Sequence, residues 1–458
     1  MASPDPKGQS SGLSKVIWFL VGLAMSSLGQ WTIVLILAQA GSPHMVGQYA
    51  LGLAITTPVV LVCGLGLQPV LVTDVANHFG FYEYLRLRLT GMTIALLVIG
   101  ALVHALSLTG GIVIFLVGVA KALDAVGEIY FGILQRYSTM RTVGASMALN
   151  SVFSVLVTAG LLLTTGSITI AILGSVVGSA LGSVLYPWRS ARPHLQRGPR
   201  IGRASSRKAV RRSRRLAVTA LPVGLAYSLT SFTSNVPAYV LEHQLGTSAL
   251  GVFAVLSYST MVANLLYCAV YQVLLHRMAE LARARELRAL RALVIRLVAG
   301  SLLLGLLSGL LAWVLGEAVL ELLYGPDYSR HWPTLVILAL GVGTSGALYF
   351  INAALLALQR FQHHLTATLP TLGITGAASF LLIPRYGLTG AASAAALALV
   401  VEALTKAALL RNVLVRAAVA PGPPPPADGP EGSPLAGPTP PARDSASTST
   451  ASTQTLTY

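Results

Sequence analysis

The chain reads as an all-α polytopic membrane protein with twelve transmembrane helices in two halves of six. Three observations predict that class. Of 458 residues, 54% are apolar and only 10% charged, and mean hydropathy is +0.71, which excludes an ordinary soluble domain. Apolar runs of about 20 residues, the length that crosses a bilayer, recur along the chain. Between Arg189 and Arg215 stand eleven Lys or Arg residues and no acid, with six apolar runs on either side. Such a cluster cannot cross a bilayer and prefers the cytoplasmic face.

Taken in order, the spans fall at 15–38, 45–72, 86–108, 111–135, 141–164 and 167–188 in the first half. The second half places them at 216–241, 248–275, 293–316, 332–358, 362–383 and 387–411. The first run is too long for a signal-peptide core and lacks a small-residue cleavage site, so it counts as a span. Charge supports the alternation. With the N-terminus inside, the inner segments hold Lys7, Lys15, Arg86, Arg88, Arg136, Arg141, the central cluster, Arg277, Arg283, Arg285, Arg288, Arg291, Arg360, Arg411 and Arg416. The outer loops hold only Arg330 and Arg385. That bias assigns both termini to the cytoplasmic side of the cell membrane. It also explains the net charge of +16 through anionic lipid rather than nucleic acid. The segments are therefore a cytoplasmic tail (1–14), an N-lobe (15–188), a basic loop (189–215), a C-lobe (216–411) and a tail (412–458). The tail is rich in Pro, Ser and Thr, cannot fill a core and reads as disordered. Cys63 and Cys268 both fall inside spans, which argues against a structural disulfide.

The halves repeat weakly. Val46-Gly47-Gln48 opens the second span and Leu250-Gly251-Val252 the eighth. Leu134-Gln135-Arg136-Tyr137 closes the fourth and Leu358-Gln359-Arg360-Phe361 the tenth. An even span count with such matches implies parallel repeats about an axis along the membrane normal, and a site between them near the midplane. Pro58, Pro69, Pro222 and Pro237 should bend the second and seventh spans. Gly174, Gly178 and Gly182, and Gly305 with Gly309, read as close helix packing. Residues 276–292 are Arg-rich with apolar Met278, Leu281, Leu287, Leu290 and Val294, which fits a helical connector along the membrane interface or a solvated linker.

Chemistry concentrates in the fourth span. Lys121, Asp124 and Glu128 share one helix face. Each charge at mid-bilayer costs about 2.5–3.5 kcal/mol, so three facing lipid would cost roughly 8–10 kcal/mol. They must face protein or a wet cavity. One reading is a cavity site in which Lys121 meets an anionic substrate group and Asp124 or Glu128 carries a proton or cation. The other is a structural Lys121–Asp124 pair with Glu128 near the inner interface. Glu402 and Lys406 favour a structural pair. Polar stripes on the seventh span (Ser228, Ser231, Asn235, Tyr239) and the eighth (Thr260, Asn264, Tyr267, Tyr271), with Ser26, Ser27, Gln30 and Trp31 on the first, suit either a sugar-binding cavity or interhelical hydrogen bonding. Gly341 to Gly346 spell GxGxxG inside an apolar span with no preceding strand, so a dinucleotide site is rejected. No Walker A loop, HExxH or Cys/His metal spacing occurs. No cofactor is expected; a coupling H+ or Na+ is the remaining option.

The run Lys121-Ala122-Leu123-Asp124 with Glu128-Ile129-Tyr130-Phe131-Gly132-Ile133-Leu134-Gln135-Arg136 resembles the fourth-span motif of bacterial polysaccharide flippases. Gly41-Ser42-Pro43 with Val46 to Pro58 resembles their second-span opening, and Tyr386-Gly387-Leu388-Thr389-Gly390-Ala391-Ala392 their C-terminal pattern. The likeness spans about residues 15–411. It implies a Wzx-like polysaccharide transporter of the multidrug/oligosaccharidyl-lipid/polysaccharide exporter superfamily, two six-helix lobes around a V-shaped cavity. The implied activity is alternating-access transfer of polyprenyl-pyrophosphate-linked oligosaccharide to the outer leaflet, without enzymatic chemistry. Implied partners are that lipid-linked substrate, membrane lipids and other polysaccharide-assembly membrane proteins. The chain departs from the peptidoglycan-precursor flippases, which line the cavity with arginines and have more spans; here no Arg lies clearly mid-span. A multidrug/cation antiporter of the same superfamily is the first alternative. A glycan polymerase or ligase is the second, and it would rest on Glu317, Glu321, Asp327, Arg330 and His331 in a short loop.

Overall fold

A computed structural model describes residues 6–74, 79–107, 110–137, 139–197, 206–358 and 363–419. The tail from Ala420 lies outside the described residues, as do loop residues 198–205 and Gln359-Arg360-Phe361 of the repeat. The described residues are helical and hold no strand. In the first half run α1 (Pro6–Ala40), α2 (Pro43–Gly64), α3 (Leu67–Thr73), α4 (Phe81–Ala105), α5 (Gly111–Arg136) and α6 (Met140–Thr165). Then α7 (Ile168–Ala171), α8 (Leu173–Gly178), a π-helical turn Ser179–Leu185 and α9 (Tyr186–Arg197) form one continuous sixth path. The second half holds α10 (Ser206–Ser259), α11 (Met261–Arg283), α12 (Leu287–Tyr324), α13 (Pro326–Ser329), α14 (Trp332–Ala357) and α15 (His363–Val419).

Nine helical stretches among the described residues are long and apolar enough to cross a membrane. One of them, Thr368–Val415, runs 48 residues, and Gly387 at φ 59°, ψ −129° divides it into two passes. Likewise Gly246 at φ 83° divides α10; the left-handed region is open to glycine without the penalty a Cβ brings. Residues 247–259 then continue into α11 as an eighth pass. The fourth pass, α5, is 26 residues long but carries Lys121, Asp124 and Glu128. Divided at these glycines and with α5 and α11 included, the described residues hold twelve helical passes, the number that the span pattern predicts. At the start of α2, Ser42 caps the Met45 amide at 3.3 Å and Pro43 takes the first turn, where its missing N–H costs nothing.

Several boundaries differ from expectation. Helix α1 begins at Pro6 rather than near 15, and α15 continues to Val419 rather than 411. The prolines do not break their helices: α2 runs through Pro58, and α10 through Pro222 and Pro237. The interruption in the second pass comes instead at Leu65 and Gly66, both left-handed. Residues 276–292 form no separate interfacial connector. They are the end of α11, a turn through Arg285 at φ 55° and the start of α12. Met278, Leu290 and Val294 are buried there against Ile351, Ala354 and Leu410, so burial within the protein displaced interface binding.

We call the end carrying α9 and Arg215 the basic end and the opposite one the far end. Toward the far end one apolar cluster joins Val34, Leu37 and Val46 of the first half to Val255, Leu320 and Tyr328 of the second. Another joins Leu51 and Ile99 to Leu241, Leu250 and Ile383. Toward the basic end the cores part. Ile351, Leu355 and Leu410 belong to a cluster of the second half alone, and Leu134, Val143 and Ala191 to one of the first half alone. Among the described residues the seam between the second pass and α10 stays closed there, through Leu67 and Leu71 of α3 against Leu216 and Ala220.

The two repeat glycines meet. A Cβ on Gly47 would collide with the Thr247 carbonyl, and one on Gly251 with the Pro43 carbonyl and the Gly47 amide. Pro43 stands four residues before Gly47 and Thr247 four before Gly251, so the contact is the same from both sides, as a pseudo-two-fold requires.

Candidate functional site: a polar cavity in the first half

Helix α5 is sided, with Val113, Val117 and Ala120 buried, and its charged face turns toward α6 and the sixth path. The glycines Gly174, Gly178 and Gly182 let that path lie against Thr158, Ser154 and Asn150 of α6, the close packing that their spacing predicts. The matching polar residues recur every fourth position along α6: Ser146, Asn150, Ser154 and Thr158. Ser146 donates to the Gly182 carbonyl. A π-turn at Ser179–Leu185 follows, and such turns re-aim side chains within a helix.

Asp124 sits where these three elements converge. Its Oδ1 accepts from Asn150 Nδ2 at 3.0 Å and from Ser183 Oγ at 2.8 Å. Asn150 Nδ2 also reaches Ser183 Oγ at 2.8 Å, and Ser154 Oγ donates to Asn150 Oδ1 at 3.1 Å. A cavity of about 80 Å³ opens beside this cradle, lined among others by Gln30, Tyr49, Lys121, Asp124, Ser151 and Ser175. At roughly 10–15 Å³ of such space per water it holds a handful of waters, and a small ion fits. Ser175 Oγ is buried without a hydrogen-bond partner.

The trio on α5 therefore divides. Lys121 and Asp124 both line the cavity, but no ion pair joins them among the described residues, contrary to the pairing their spacing allows: Asp124 is taken by neutral donors from α6 and the π-turn. Glu128 does not line the cavity. It pairs with Arg88 of α4, Nη2 to Oε2 at 3.4 Å, with side-chain exposures of 44% for Glu128 and 4% for Arg88. Arg88 is thus no loop residue. It is buried within α4, its Nε has no partner, and its Nη1 fills the space that a Cβ on Gly64 would take. Burial of a charge demands a partner, which accounts for Glu128.

Of the other candidates, Gln30 joins the site: it lines the cavity and donates to Tyr258 Oη at 2.8 Å. Asn235 donates to its own helix at the Ser231 carbonyl, 2.8 Å away. Asn264 accepts from Ser345 at 2.8 Å. Tyr267 is buried against Gly346 and donates to the Ser301 carbonyl at 3.1 Å. Tyr271 stacks edge-on with Tyr349, centroids 6.2 Å apart. These last three pack the second half and do not enter the cavity. Lys406 is fully buried and bonded to Glu402 at 2.6 Å, the structural pair expected. Sequence reasoning misses Asn150, Ser183, Tyr49 and Arg88 as site residues. The four-residue polar period on α6, set against the glycine stripe, is the signal for Asn150.

No family model matches the chain. In sequence it is 25% identical over 376 residues, 82% of this chain and 93% of that protein, to the capsular polysaccharide biosynthesis protein CapF of Staphylococcus aureus. In structure it is similar to an inward-facing multidrug-resistance MATE family transporter of the MOP superfamily, with TM-score 0.67, 13% identity and coverage of 87% of this chain and 99% of that one. It is also similar to the lipid II flippase MurJ in an inward closed conformation, at TM-score 0.66, 12% identity and coverage of 88% and 90%. The chain thus has the fold of MOP-superfamily transporters and a sequence similar to a capsular polysaccharide biosynthesis protein, the superfamily and setting that its second- and fourth-span motifs resemble.

Proposed function

We propose that the chain is a flippase that moves polyprenyl-pyrophosphate-linked oligosaccharide across the cytoplasmic membrane for capsule or exopolysaccharide assembly, by alternating access. The observation that carries this is the Lys121 ammonium. It faces a polar cavity with no ion pair among the described residues, inside a bundle whose halves share apolar clusters at the far end and hold separate ones over much of the basic end. A cation within a membrane protein is costly unless it serves an anion or a wet path. Lys121 is the electrostatic anchor for the pyrophosphate. Asp124, held by neutral donors, is the group that takes up a proton or Na+. Glycan and lipid pass between the halves while the pyrophosphate is held at the cavity.

In this reading the basic end faces the cytoplasm, where the substrate is made, and other polysaccharide-assembly proteins receive the product. The relatives with transport or flippase in their names support a non-enzymatic role. In the short loop on which a polymerase would rest, Asp327 and Arg330 form an exposed pair at 3.8 Å rather than a sheltered catalytic cluster. Similarity to the multidrug transporters supports the antiporter as the second reading. The two separate on one experiment. Deletion of the gene should trap lipid-linked oligosaccharide in the inner leaflet, and the wild-type chain but not Lys121→Ala at equal abundance should clear it. Unchanged leaflet distribution on deletion sinks the flippase reading.

A further inference from the structure

The seam between the second pass and α10 is closed toward both ends, and at the opposite seam the described side-chain bonds from α1 to the second half run from its middle to the far end. At the middle Gln30 Nε2 donates to Tyr258 Oη at 2.8 Å. The next residue, Trp31, donates through Nε1 to Tyr324 Oη at 2.8 Å, and Ser259 Oγ donates to the same hydroxyl at 3.2 Å. Gln39 Nε2 reaches the Leu323 carbonyl at 2.7 Å, nearer the far end. Between residue 17 and Gln30, the part of α1 on the basic side whose side chains are described, no side-chain hydrogen bond reaches the second half. The eighth pass is interrupted at this same level: α10 ends at Ser259, Thr260 turns, and α11 starts at Met261. Thus adjacent residues of α1 grip the second half beside a one-residue turn of the eighth pass, where the Thr260 amide bonds the Ser257 carbonyl at 3.2 Å.

We propose that Gln30–Tyr258 and Trp31–Tyr324–Ser259 form a lock that holds the far end shut and reports on the cavity through Gln30. Gln30 is shared, since it lines the cavity with Lys121 and Asp124 while bonding the second half. An occupant that draws the Gln30 amide toward the cavity competes with Tyr258. Loss of that bond loosens the neighbouring Trp31–Tyr324 contact, and the turn at Thr260 lets residues 247–259 swing without unwinding α11. The inference rests on alternating access, but its test needs no substrate.

Place spin labels at the far end through Thr165→Cys and Arg385→Cys, in a Cys63→Ser, Cys268→Ala background, and measure their distance in nanodiscs. The locked protein should give a single short distance. Tyr324→Phe and Tyr258→Phe each keep the ring and lose the hydroxyl, and each should add a longer, open population. Gln30→Leu should add it too, although it keeps the Trp31 and Tyr324 side chains themselves. Distances unchanged in both Phe variants overturn the lock; a shift in Tyr324→Phe without one in Gln30→Leu overturns the link to the cavity. Thermal melting of each variant separates opening from unfolding, and a failure of the leaflet experiment leaves these outcomes readable.

Discussion

The hydroxyl of Tyr239 donates to the carbonyl of Ala54, the very carbonyl that Pro58 cannot serve. Proline has no N–H, so the residue four before it loses its helical donor. In the bilayer no water replaces that donor, and here the second half supplies it from α10. Ser228 adds a bond to the Pro58 carbonyl at 2.9 Å. A helix defect in one half is thereby repaired by the other, and the repair holds the closed seam.

Tyr239→Phe should destabilise the protein by about 0.6–1.7 kcal/mol, from the average to the largest value found for interhelical hydrogen bonds in membranes. Pro58→Ala restores the amide, so Tyr239→Phe in that background should cost markedly less. A double-mutant cycle of thermal or denaturant unfolding in detergent reads the coupling. Equal costs in both backgrounds would mean that the bond does not serve the proline carbonyl.

The glycine pair gives a symmetry prediction. Gly47→Ala and Gly251→Ala each push a methyl into the opposite backbone, and overpacking of this kind costs about 1–3 kcal/mol. Because the contacts are equivalent, the two losses should match within error, while Gly160→Ala, which meets nothing within 4 Å, should be near neutral. Unequal losses in unfolding titrations would refute the pseudo-two-fold contact.

Legibility followed the physics. Hydropathy and loop charge reveal passes because each pass answers to lipid on its own, so the span pattern and the basic end are readable. The Gly47 and Gly251 match is readable as a repeat, but not as a contact, since pairing across halves leaves no periodic trace. Pro58 is readable as a helix defect but its repair is not: Tyr239, from the other half, satisfies the freed carbonyl and α2 continues to Gly64. In the site, three charges on one face locate α5 as the wall of a cavity. Their partners are not legible, because Asn150, Ser183 and Arg88 come from α6, the π-turn and α4. Which carboxylate receives the arginine depends on helix packing that spacing alone does not encode.

The Asp124 cradle predicts a graded series. Asp124→Asn keeps the shape and removes the charge; it should cut transport at least tenfold (about 1.4 kcal/mol at the rate-limiting step) with normal insertion. Asn150→Ala and Ser183→Ala each remove one of two donors to Oδ1 and should fall between wild type and Asp124→Asn. The leaflet assay at matched expression measures this order. Full activity in Asp124→Asn would remove the carboxylate from the coupling role.

Arg88 and Glu128 differ in burial, and this makes their losses unequal. Removing Glu128 strands a guanidinium that is nearly inaccessible, with one nitrogen already unpartnered; an unpaired buried charge costs about 3–5 kcal/mol. Removing Arg88 strands a carboxylate that is 44% exposed and can hydrate or protonate. Glu128→Gln should therefore lower stability more than Arg88→Met, whose side chain refills the space beside Gly64. The double variant Arg88→Met/Glu128→Gln should recover most of the loss, since no charge is left buried. Unfolding titrations test the order, and the leaflet assay tests the role. Recovery of stability with recovery of transport makes the pair structural. Recovery of stability without transport returns Glu128 to the ion path beside Asp124.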